Sequence, residues 1–329
     1  MKIFGGVKSI YFAEEICKTL GIGIGKSTRK DFSDGEFISK LDETVRGENV
    51  YIVQSTCQPT NNLMELIQLA DASKRAGAKS IIAVIPYFGF ARQDRKSESR
   101  TPITAALIAK IIEVSGVNQV VTMDLHADQL QAFFNIPVSH IFSSASLVPF
   151  IRERVDGDFI IAAPDTGATQ RAKAYSNFLK TDMIVCYKNR AEANKIKEMM
   201  VIGNVEGKHV LIVDDMADTC GTLSKCAEVL LEKGALSVKA VATHPVLSGK
   251  AYENIGNSKI QELIVTNSIP LKDFNSFEAM QNIAIGKGFS GNISEIEGYN
   301  KITVVDVAPL FANVINNIEN HTSISANFL

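Results

Sequence analysis

Residues Val210–Thr222, VLIVDDMADTCGT, bring acidic, hydroxyl and glycine residues together in one short stretch. An apolar run ends in the acidic pair Asp214 and Asp215, and a tight loop then leads into the helical pattern LSKCAEVLLEKG. The loop residues are Asp218, Thr219, Cys220, Gly221 and Thr222. Backbone N–H groups at the positive end of a helix can bind a phosphate, and carboxylates accept hydrogen bonds from sugar hydroxyls. The stretch therefore predicts a site for a pentose phosphate.

An acidic pair alone is more often an ordinary strand-to-helix turn with solvated carboxylates. The DTxGT pattern that follows Asp214 and Asp215 at this spacing favours the binding site. Cys220 lies inside the loop, where a helix N-terminus can lower the pKa of a thiol. Because no histidine lies nearby in the sequence, we interpret Cys220 as a small filler residue rather than a nucleophile.

Two further kinds of polar segment are candidate binding groups. Residues 87–96, YFGFARQDRK, follow the apolar run IIAVI and bring cations together near Gln93, a combination that can neutralise a polyphosphate. His126 and Asp165 each follow a predicted strand, and each can supply one ligand to a divalent ion already held by phosphates. A lone histidine at a strand end is more often a hydrogen-bonded structural residue, and taken alone His126 favours that interpretation.

The elements that must position these residues follow an alternating pattern. Apolar β-branched runs alternate with helical patterns, which predicts an α/β fold with mainly parallel sheets. VYIVQS at 50–55, with its following helix and strand patterns, recurs as VLIVDD at 210–215, and this repeat predicts two related α/β domains in tandem. The first copy carries Gln54-Ser55-Thr56 in place of the acidic pair. We therefore expect only the second copy to hold a sugar phosphate.

Composition narrows the class of protein. With 329 residues, of which 46% are hydrophobic, the chain can form two domains of ordinary size with packed cores. The net charge of −2 and the absence of long runs of like charge argue against a nucleic-acid or anionic-membrane surface. No apolar stretch approaches the ~20 residues that span a bilayer, and the five cysteines include no C-x-x-C pair. We expect reduced thiols and a cytoplasmic protein.

One segment imitates a nucleotide-binding motif. GIGIGKST, residues 21–28, resembles a P-loop, but the motif requires a glycine at the position of Leu20. The segment also follows a helical pattern rather than a strand. We therefore reject the P-loop. The first domain is expected to comprise residues 1–142, joined by the tail 309–329, and the second residues 143–308.

Taken together, the motifs closely resemble the ribose-phosphate diphosphokinases, also called phosphoribosyl pyrophosphate synthetases, of the phosphate-activated, ADP-inhibited class I. The similarity extends over nearly the whole chain, and its matching segments are FSDGE (32–36), VRG (45–47), NLMEL (62–66), AVIPYFGFARQDRK (83–96), TMDLHADQ (122–129), VDDMADTCGT (213–222) and TNSIP (266–270). The resemblance implies two tandem phosphoribosyltransferase-like domains. It also implies transfer of the β,γ-diphosphoryl group of Mg·ATP to the C1 hydroxyl of ribose 5-phosphate, which leaves AMP.

The resemblance assigns roles to matching residues. The loop Asp218–Thr222 is expected to hold the 5-phosphate, and Asp214 and Asp215 the ribose hydroxyls. Lys188 and Arg190 match the mobile catalytic loop of the family. Two cations closing over the transferring group would stabilise its negative charge, whereas without the resemblance a solvated basic turn is an equally good interpretation.

The ATP site, the metal site and the regulatory site follow from the same resemblance. The ATP contacts are expected to be Arg92, Gln93 and, reaching across from a neighbouring subunit, Phe32, Asp34 and Glu36. His126 and Asp165 are expected to help place Mg²⁺. The regulatory site for phosphate and ADP, at contacts between subunits of a homohexamer, matches Arg46, Ser323, Ser325 and Phe328.

One stretch departs from the family pattern. Residues 270–301 are longer than the resemblance allows by about twenty residues, and their glycines and polar residues predict a surface insertion around 272–299.

Two alternatives to the synthase are a phosphoribosyltransferase, which shares the VDDxxDTxGT site, and a non-catalytic regulatory homologue. A transferase would need a base-binding hood in place of FSDGE and YFGFARQDRK. A regulatory homologue would be expected to have lost catalytic positions, and Lys188, Arg190, His126, Asp165 and Asp214 are all present.

Overall fold

The structure is a computed structural model that describes residues 1–154, 158–192, 195–271 and 298–325, with only the backbone of 188–192 and 195–198. Contacts between residues divide the chain into two units. Unit 1 consists of Met1–Ser143, Ser268–Pro270 and Val307–Leu329, and unit 2 of Ser144–Asn267 and Leu271–Asp306. Phe328 and the expected insertion around 272–299 lie outside the described residues, apart from the insertion's last two positions.

Unit 1 is built around a parallel sheet. Its elements are β1 (Lys2–Gly5), α1 (Ile10–Leu20), β2 (Ser27–Asp31), β3 (Phe37–Leu41), β4 (Asn49–Val53), α2 (Asn61–Arg75), β5 (Ser80–Ile85), α3 (Thr104–Val114), β6 (Gln119–Met123), a 3₁₀ helix (Asp128–Phe133), β7 (Val138–Ile141) and α8 (Ala308–Glu319). Within the described ranges, five strands lie parallel in the order β1-β4-β5-β6-β7. Strands β2 and β3 form a separate antiparallel hairpin.

The glycines of the apparent P-loop have a structural role at the end of α1. Gly21 adopts a φ of 69°, and its N–H bonds to the carbonyl of Lys18. A left-handed residue in this position ends a helix, and glycine adopts this conformation without a steric cost. The segment is thus a helix terminus, in agreement with the rejection of the P-loop.

The C-terminal helix α8 packs against α1 inside unit 1. The rings of Phe12 and Phe311 meet edge to face at 5.2 Å between centroids. At the other end of the helix, Glu319 accepts hydrogen bonds from the Tyr51 hydroxyl at 2.7 Å and from the Asn49 amide at 2.9 Å. Burial of the aromatic pair and these charge-assisted bonds stabilise the association of the chain's end with unit 1.

Unit 2 has the larger sheet. Its elements are α4 (Ser144–Arg152), β8 (Phe159–Ala163), α5 (Thr169–Leu179), β9 (Met183–Glu192), β10 (Lys195–Ile202), β11 (His209–Ala217), α6 (Gly221–Glu232), β12 (Ser237–Pro245), α7 (Ala251–Asn257), β13 (Leu263–Thr266), a 3₁₀ helix (Tyr299–Lys301) and β14 (Ile302–Val305). In the described part of the chain, the strand order is β10-β9-β8-β11-β12-β13-β14. All neighbours are parallel except β10, which runs antiparallel to β9.

The predicted α/β fold with mainly parallel sheets is confirmed. In sheets of this kind, ligands bind beyond the carboxyl ends of the strands. A binding site is therefore expected at the loops after β5 and β6 in unit 1 and after β8 and β11 in unit 2. Across the described residues, none of the helices has the length and apolar character to cross a membrane.

Candidate active site

The loop after β11 presents backbone donors at a helix start. Cys220 precedes α6 with a left-handed φ of 62°, and this turn directs the chain into the helix at Gly221. The N–H groups of Thr219, Cys220 and Gly221 donate to no other described residue. Unpaired donors at the positive end of a helix form an anion site. The loop has the geometry that a phosphate requires.

Side chains from a later segment fix the loop. The Asp218 carboxylate accepts a hydrogen bond from the Ser248 hydroxyl, and the Asp218 carbonyl accepts the Ser248 N–H at 3.1 Å. The Asn254 amide donates to the Thr219 carbonyl at 2.7 Å. These bonds pair the loop's acceptors with donors of the protein. They hold the loop while the N–H groups of Thr219, Cys220 and Gly221 point to no described acceptor.

The acids at the end of β11 lie in an electrostatically unfavourable place. Asp214 is half-buried and Asp215 is 7% exposed. Burial, together with the charges of Asp215 and Asp165, raises the pKa of Asp214 well above its usual value. The Asp215 N–H donates to Asp214 Oδ1 at 2.9 Å, which opposes the shift without cancelling it. Sugar hydroxyls or a cation would relieve this repulsion.

The thiol of Cys220 is not activated by the helix. Its side chain is 4% exposed, and burial together with the Asp218 charge raises its pKa to about 12. At neutral pH the group is a thiol rather than the nucleophilic thiolate. The interpretation of Cys220 as filler agrees with this environment, although the helix does not lower its pKa.

Asp165 follows β8 and has a local structural contact. Its Oδ1 accepts the N–H groups of Gly167 at 3.0 Å and Ala168 at 3.2 Å, at the start of α5. Its charge also reaches Asp214, whose pKa it raises. The structure therefore brings Asp165, Asp214 and Asp215 together with the loop Asp218–Thr222 in unit 2.

The loop after β5 in unit 1 carries Arg92 and Gln93. Both side chains are exposed, while the Gln93 backbone donates to the Phe90 carbonyl at 2.9 Å and accepts from the Ala105 N–H at 3.2 Å. The Gly89 N–H donates to the Thr56 hydroxyl at 2.7 Å. A Cβ at Gly89 would lie 2.1 Å from the Thr56 carbonyl oxygen. Only glycine permits so close an approach, which sets the path of the loop.

The other predicted ATP contacts lie at the tip of the β2–β3 hairpin. Phe32, Asp34 and Glu36 are all exposed. The turn is closed by the Phe32 N–H donating to the Glu36 carbonyl at 2.8 Å, and the Asp34 carboxylate accepts the Glu36 N–H at 3.0 Å. An exposed aromatic ring, 44% accessible, beside two carboxylates is a surface that can contact another molecule.

His126 lies just beyond β6, in a turn held by side chains from the next strand. His140 accepts the Leu125 N–H at its Nε2, at 3.0 Å. Asp124, with a φ of 39°, accepts a hydrogen bond from the Ser143 hydroxyl. These contacts fix the backbone on both sides of the turn and leave the His126 side chain exposed.

The predicted catalytic residues lie on an antiparallel hairpin rather than in a loop. Lys188 and Arg190 are part of β9, with Lys188 opposite Met199 and Arg190 opposite Ile196 of β10. The register shifts between Lys195 and Glu198 interrupt the ladder. The hairpin forms an edge of the unit 2 sheet, and the side chains of Lys188 and Arg190 lie outside the description.

Among the described regulatory residues, Arg46 is not joined to the two serines by a hydrogen bond. Arg46 is exposed after β3, where its guanidinium passes beside Gly77. Ser323 and Ser325, both exposed after α8, share a hydrogen bond at 2.8 Å. No bond or ion pair among the described residues links Arg46 to either serine.

Several residues that shape these loops escaped the sequence analysis. They are Ser248 and Asn254 after β12, His140 on β7 and Ser143 just after β7. Each lies near the carboxyl end of a strand in the sheet that carries the loop it supports. Their position after a predicted strand could have identified them in the sequence, but other polar residues occupy such positions too.

The carboxylates of the candidate site suit Mg²⁺ but are too few to bind it without oxygen atoms from a bound ligand. Carboxylates such as Asp165, Asp214 and Asp215 are the hard donors that Mg²⁺ prefers. In the part of the chain that the structure describes, no group of three or more metal-ligating side chains forms a cage. A magnesium ion here would depend on phosphate oxygens for much of its coordination, as is usual for this ion.

Comparison with known proteins agrees with the motifs. Residues 1–116 match the family model of the N-terminal domain of ribose phosphate pyrophosphokinase, and residues 189–329 match the phosphoribosyl synthetase-associated domain. A ribose-phosphate pyrophosphokinase of Wolinella succinogenes is 45% identical over 329 residues, covering 100% of this chain and 99% of the relative. One of Helicobacter hepaticus is 44% identical over 328 residues, covering 99% and 98%.

A solved structure shows the same fold. The crystal structure of phosphoribosylpyrophosphate synthetase from Mycobacterium smegmatis superimposes with a TM-score of 0.85 at 33% identity, and covers 97% of this chain and 99% of that one. The chain therefore belongs to the ribose-phosphate pyrophosphokinase family. The predicted family is confirmed, whereas its phosphate-activated class and the individual site residues stay predictions.

Proposed function

We propose that the chain transfers the β,γ-diphosphoryl group of Mg·ATP to the C1 hydroxyl of ribose 5-phosphate. A bond forms between the C1 oxygen and the β-phosphorus, the bond from that phosphorus to the α-phosphate oxygen breaks, and AMP leaves. The relatives that match over their full length carry the name of this activity. The product, phosphoribosyl pyrophosphate, serves nucleotide biosynthesis in this proposal. Unit 1 acts as the ATP domain and unit 2 as the ribose 5-phosphate domain.

The proposal rests mainly on one observation. The loop with unpaired N–H donors lies next to the acids near the carboxyl end of β11. The N–H groups of Thr219, Cys220 and Gly221 bind the 5-phosphate in this proposal, with the Thr222 residue beside them. Asp214 and Asp215 accept the ribose hydroxyls and thereby exchange mutual repulsion for hydrogen bonds. One end of the site selects a phosphate and the other a diol, which together define a pentose phosphate.

ATP is assigned to the residues after β5 and to the hairpin tip. Arg92 offers a planar guanidinium suited to phosphate oxygens, and Gln93 sits on backbone that is bonded on both sides. Phe32 supplies a face for the adenine ring, with Asp34 and Glu36 beside it, acting on the site of a neighbouring subunit.

Catalysis is assigned to charge neutralisation by the chain's cations. Lys188 and Arg190 approach the transferring group from the β9–β10 hairpin and stabilise the charge that spreads over its oxygens. His126 and Asp165 are the protein groups assigned to hold magnesium. When bound with ATP, magnesium neutralises phosphate charge and orients the diphosphoryl group.

Regulation and assembly are part of the same proposal. Phosphate activates and ADP inhibits at a site that includes Arg46, Ser323, Ser325 and Phe328, and this site forms where subunits of a homohexamer meet. The enzyme acts in the cytoplasm. These statements rest on the resemblance of the motifs and on the exposure of the three described residues.

The first experiment measures AMP and phosphoribosyl pyrophosphate formed by the purified chain from Mg·ATP, with ribose 5-phosphate and inorganic phosphate varied separately. We expect both products, strict dependence on ribose 5-phosphate, and a rate that rises with phosphate. Product without phosphate dependence would remove the regulatory proposal. Absence of AMP under every condition would contradict the synthase and favour a regulatory homologue.

A single methyl group tests the phosphate loop. A Cβ at Gly221 would have the Thr219 hydroxyl at 3.9 Å as its nearest described neighbour, so Gly221→Ala fits the folded chain. The methyl would occupy space at the helix start that the phosphate needs, and we expect the KM for ribose 5-phosphate to rise with an unchanged melting temperature. Gly23→Ala, which meets no described atom within 4 Å, is the matched control. Equal KM values for both variants would place the phosphate elsewhere.

A further inference from the structure

Two buried cysteines of unit 2 lie in direct contact. Cys186 is on β9 and Cys226 is on α6, and their sulfur atoms are 3.1 Å apart. Both side chains have 0% exposure. The sulfurs are therefore separated by only about 1 Å more than the S–S bond length of about 2.05 Å. The other three cysteines, Cys17, Cys57 and Cys220, make no sulfur–sulfur contact within the described chain.

The pKa of Cys186 is shifted in the opposite direction from those of Cys17 and Cys220. The Cys226 thiol donates a hydrogen bond to Cys186 and lowers the pKa of Cys186, although burial acts in the opposite direction. Burial raises the pKa of Cys17 to about 11 and that of Cys220 to about 12. Thiolate content governs the rate at which a cysteine is oxidised. Cys186 is therefore the group of the pair that reacts first.

The pair joins two elements of the proposed site. On β9, Cys186 lies two residues before Lys188. Helix α6, which carries Cys226, starts at Gly221 in the phosphate loop. A covalent bond between Cys186 and Cys226 would tie the base of the β9–β10 hairpin to the helix whose N-terminus holds the sugar phosphate. The function assigned to these two elements rests on the proposed function; the bond itself does not.

We propose that Cys186 and Cys226 are a reversible oxidation site, at which a hydroperoxide forms a disulfide that restrains the β9–β10 hairpin and lowers turnover. The Cys186 thiolate attacks the peroxide oxygen, which breaks the O–O bond and leaves a sulfenic acid and, after protonation, water. The Cys226 sulfur then attacks the sulfenic sulfur, forms the S–S bond and releases a second water. In total two thiols and hydrogen peroxide give one disulfide and two waters, and a dithiol reductant reverses the change.

Burial sets the rate and selectivity of this reaction. Peroxide reaches the sulfurs only when the chain opens locally, so oxidation is slower than that of an exposed thiol. Strand β10 is the edge of the described sheet, and Cys186 of β9 pairs with its Val201, so one edge strand separates Cys186 from the sheet's boundary. In this proposal, separation of β10 from β9 gives peroxide access to Cys186. Transient disulfides of this type occur in otherwise reducing compartments.

The test treats the full chain with hydrogen peroxide, quenches it with an alkylating agent, and analyses tryptic peptides without reduction. Residues 181–188, TDMIVCYK, and residues 226–233, CAEVLLEK, each carry one cysteine of the pair. We expect a cross-linked species of these two peptides and a loss of turnover of about ten- to a hundredfold, since a displacement of about 1 Å at a reacting centre can cost about a hundredfold. Dithiothreitol should restore both the free peptides and the rate.

Variants separate the pair from other oxidation events. Cys186→Ala and Cys226→Ala should each abolish the reversible loss while keeping the basal rate, and Cys17→Ala should behave as the unchanged chain does. If one alanine variant fails to fold by circular dichroism, the other carries the test. A cross-link that leaves turnover unchanged would overturn the coupling to the hairpin. No cross-link, or equal reversible loss in all variants, would overturn the oxidation site.

The failure of the proposed function has a different signature. It would appear as absence of product in the reduced chain, before any peroxide is added. The cross-linked peptides would still be measured by mass and would decide the oxidation site alone.

Discussion

The carboxyl ends of β4 in unit 1 and β11 in unit 2 occupy corresponding points of the internal repeat. Their polar residues differ in what they bond to. After β4, Ser55 accepts the Tyr87 N–H at 3.1 Å and donates to the Ser268 carbonyl at 2.6 Å, and Thr56 accepts the Gly89 N–H. Near the carboxyl end of β11, Asp214 is held near other acids and its pKa is raised. One strand end is closed by bonds within the protein, while the other keeps acceptors for a ligand.

The comparison shows how one architecture supports different tasks. Hydroxyl side chains both donate and accept, so they can satisfy neighbouring backbone groups and fix a loop. Ionised carboxylates only accept, and several together repel one another unless something else supplies protons or positive charge. The choice of residue at the strand end therefore decides whether it supports its own loop or binds a molecule. The largest effects of mutation should come from unit 2.

The largest expected effect is that of Lys188→Ala. Loss of a cation that acts on the transferring group should lower kcat by roughly a hundredfold or more, while the KM for ribose 5-phosphate changes by no more than about threefold. Steady-state kinetics with both substrates varied give the two constants. Lys225→Ala is the control, because Lys225 forms an exposed pair with Glu228 at 2.7 Å and such pairs contribute little. Lost ribose 5-phosphate binding with retained kcat would contradict the assignment.

The next effect is that of Asp214→Ala on binding. Hydrogen bonds to a charged group contribute about 1.5–3 kcal/mol, so the dissociation constant for ribose 5-phosphate should rise about ten- to a hundredfold. Isothermal titration calorimetry measures it directly. Glu228→Ala, another acid of unit 2 on the exposed face of α6, should leave the constant unchanged. An unaltered affinity in Asp214→Ala would mean that β11, like β4, does not bind the sugar.

The two strand ends also differ in what sequence can predict. The candidate site at β11 is local in sequence: the apolar run, the acids and the loop follow each other within Val210–Thr222, so the order of residues alone predicts it. The partners that fix the loop come from Ser248 and Asn254, on segments that approach only after β12 packs beside β11. No pattern along the chain marks such a pair in advance.

The β9–β10 hairpin and α1 show the same limit in two further ways. The resemblance places Lys188 and Arg190 in a catalytic loop, and a charged strand at a sheet edge lacks the alternation that would mark it as a half-buried strand. The structure instead has an antiparallel ladder there. Before Gly21, by contrast, the sequence pattern of a helix agrees with the structure, in which α1 (Ile10–Leu20) leads directly into that glycine.

Gly89→Ala sharpens the comparison from the side of unit 1. The new methyl would lie 2.1 Å from the Thr56 carbonyl oxygen, so the loop after β5 must move away from β4. We expect a loss of about 1–3 kcal/mol in the free energy of unfolding and a higher KM for ATP, because Arg92 and Gln93 follow on the same loop. Urea unfolding and steady-state kinetics measure the two effects. Gly23→Ala is the matched control; equal behaviour of the two variants would show that the β4 contact does not fix the loop.

The smallest effect concerns how Asp214 responds to pH. Because the folded chain raises the pKa of Asp214 above its usual value of 3.8, the folded state holds that proton more tightly than the unfolded state does. Well below pH 3.8, Asp214 is protonated in both the folded and the unfolded state, so it does not lower the stability of the protein. As the pH rises towards the raised pKa, the unfolded state ionises first and the protein loses stability.

Asp214→Asn removes this loss while keeping an oxygen for the Asp215 N–H. The free energy of unfolding of the variant, relative to that of the original chain, should therefore increase as the pH rises from 4 to 7. Urea unfolding at several pH values measures the difference. Ser55→Ala at the end of β4 removes a side chain that does not titrate, and its deficit should stay constant over the same range. A constant difference for Asp214→Asn as well would mean that the end of β11 is no more strained by charge than the end of β4.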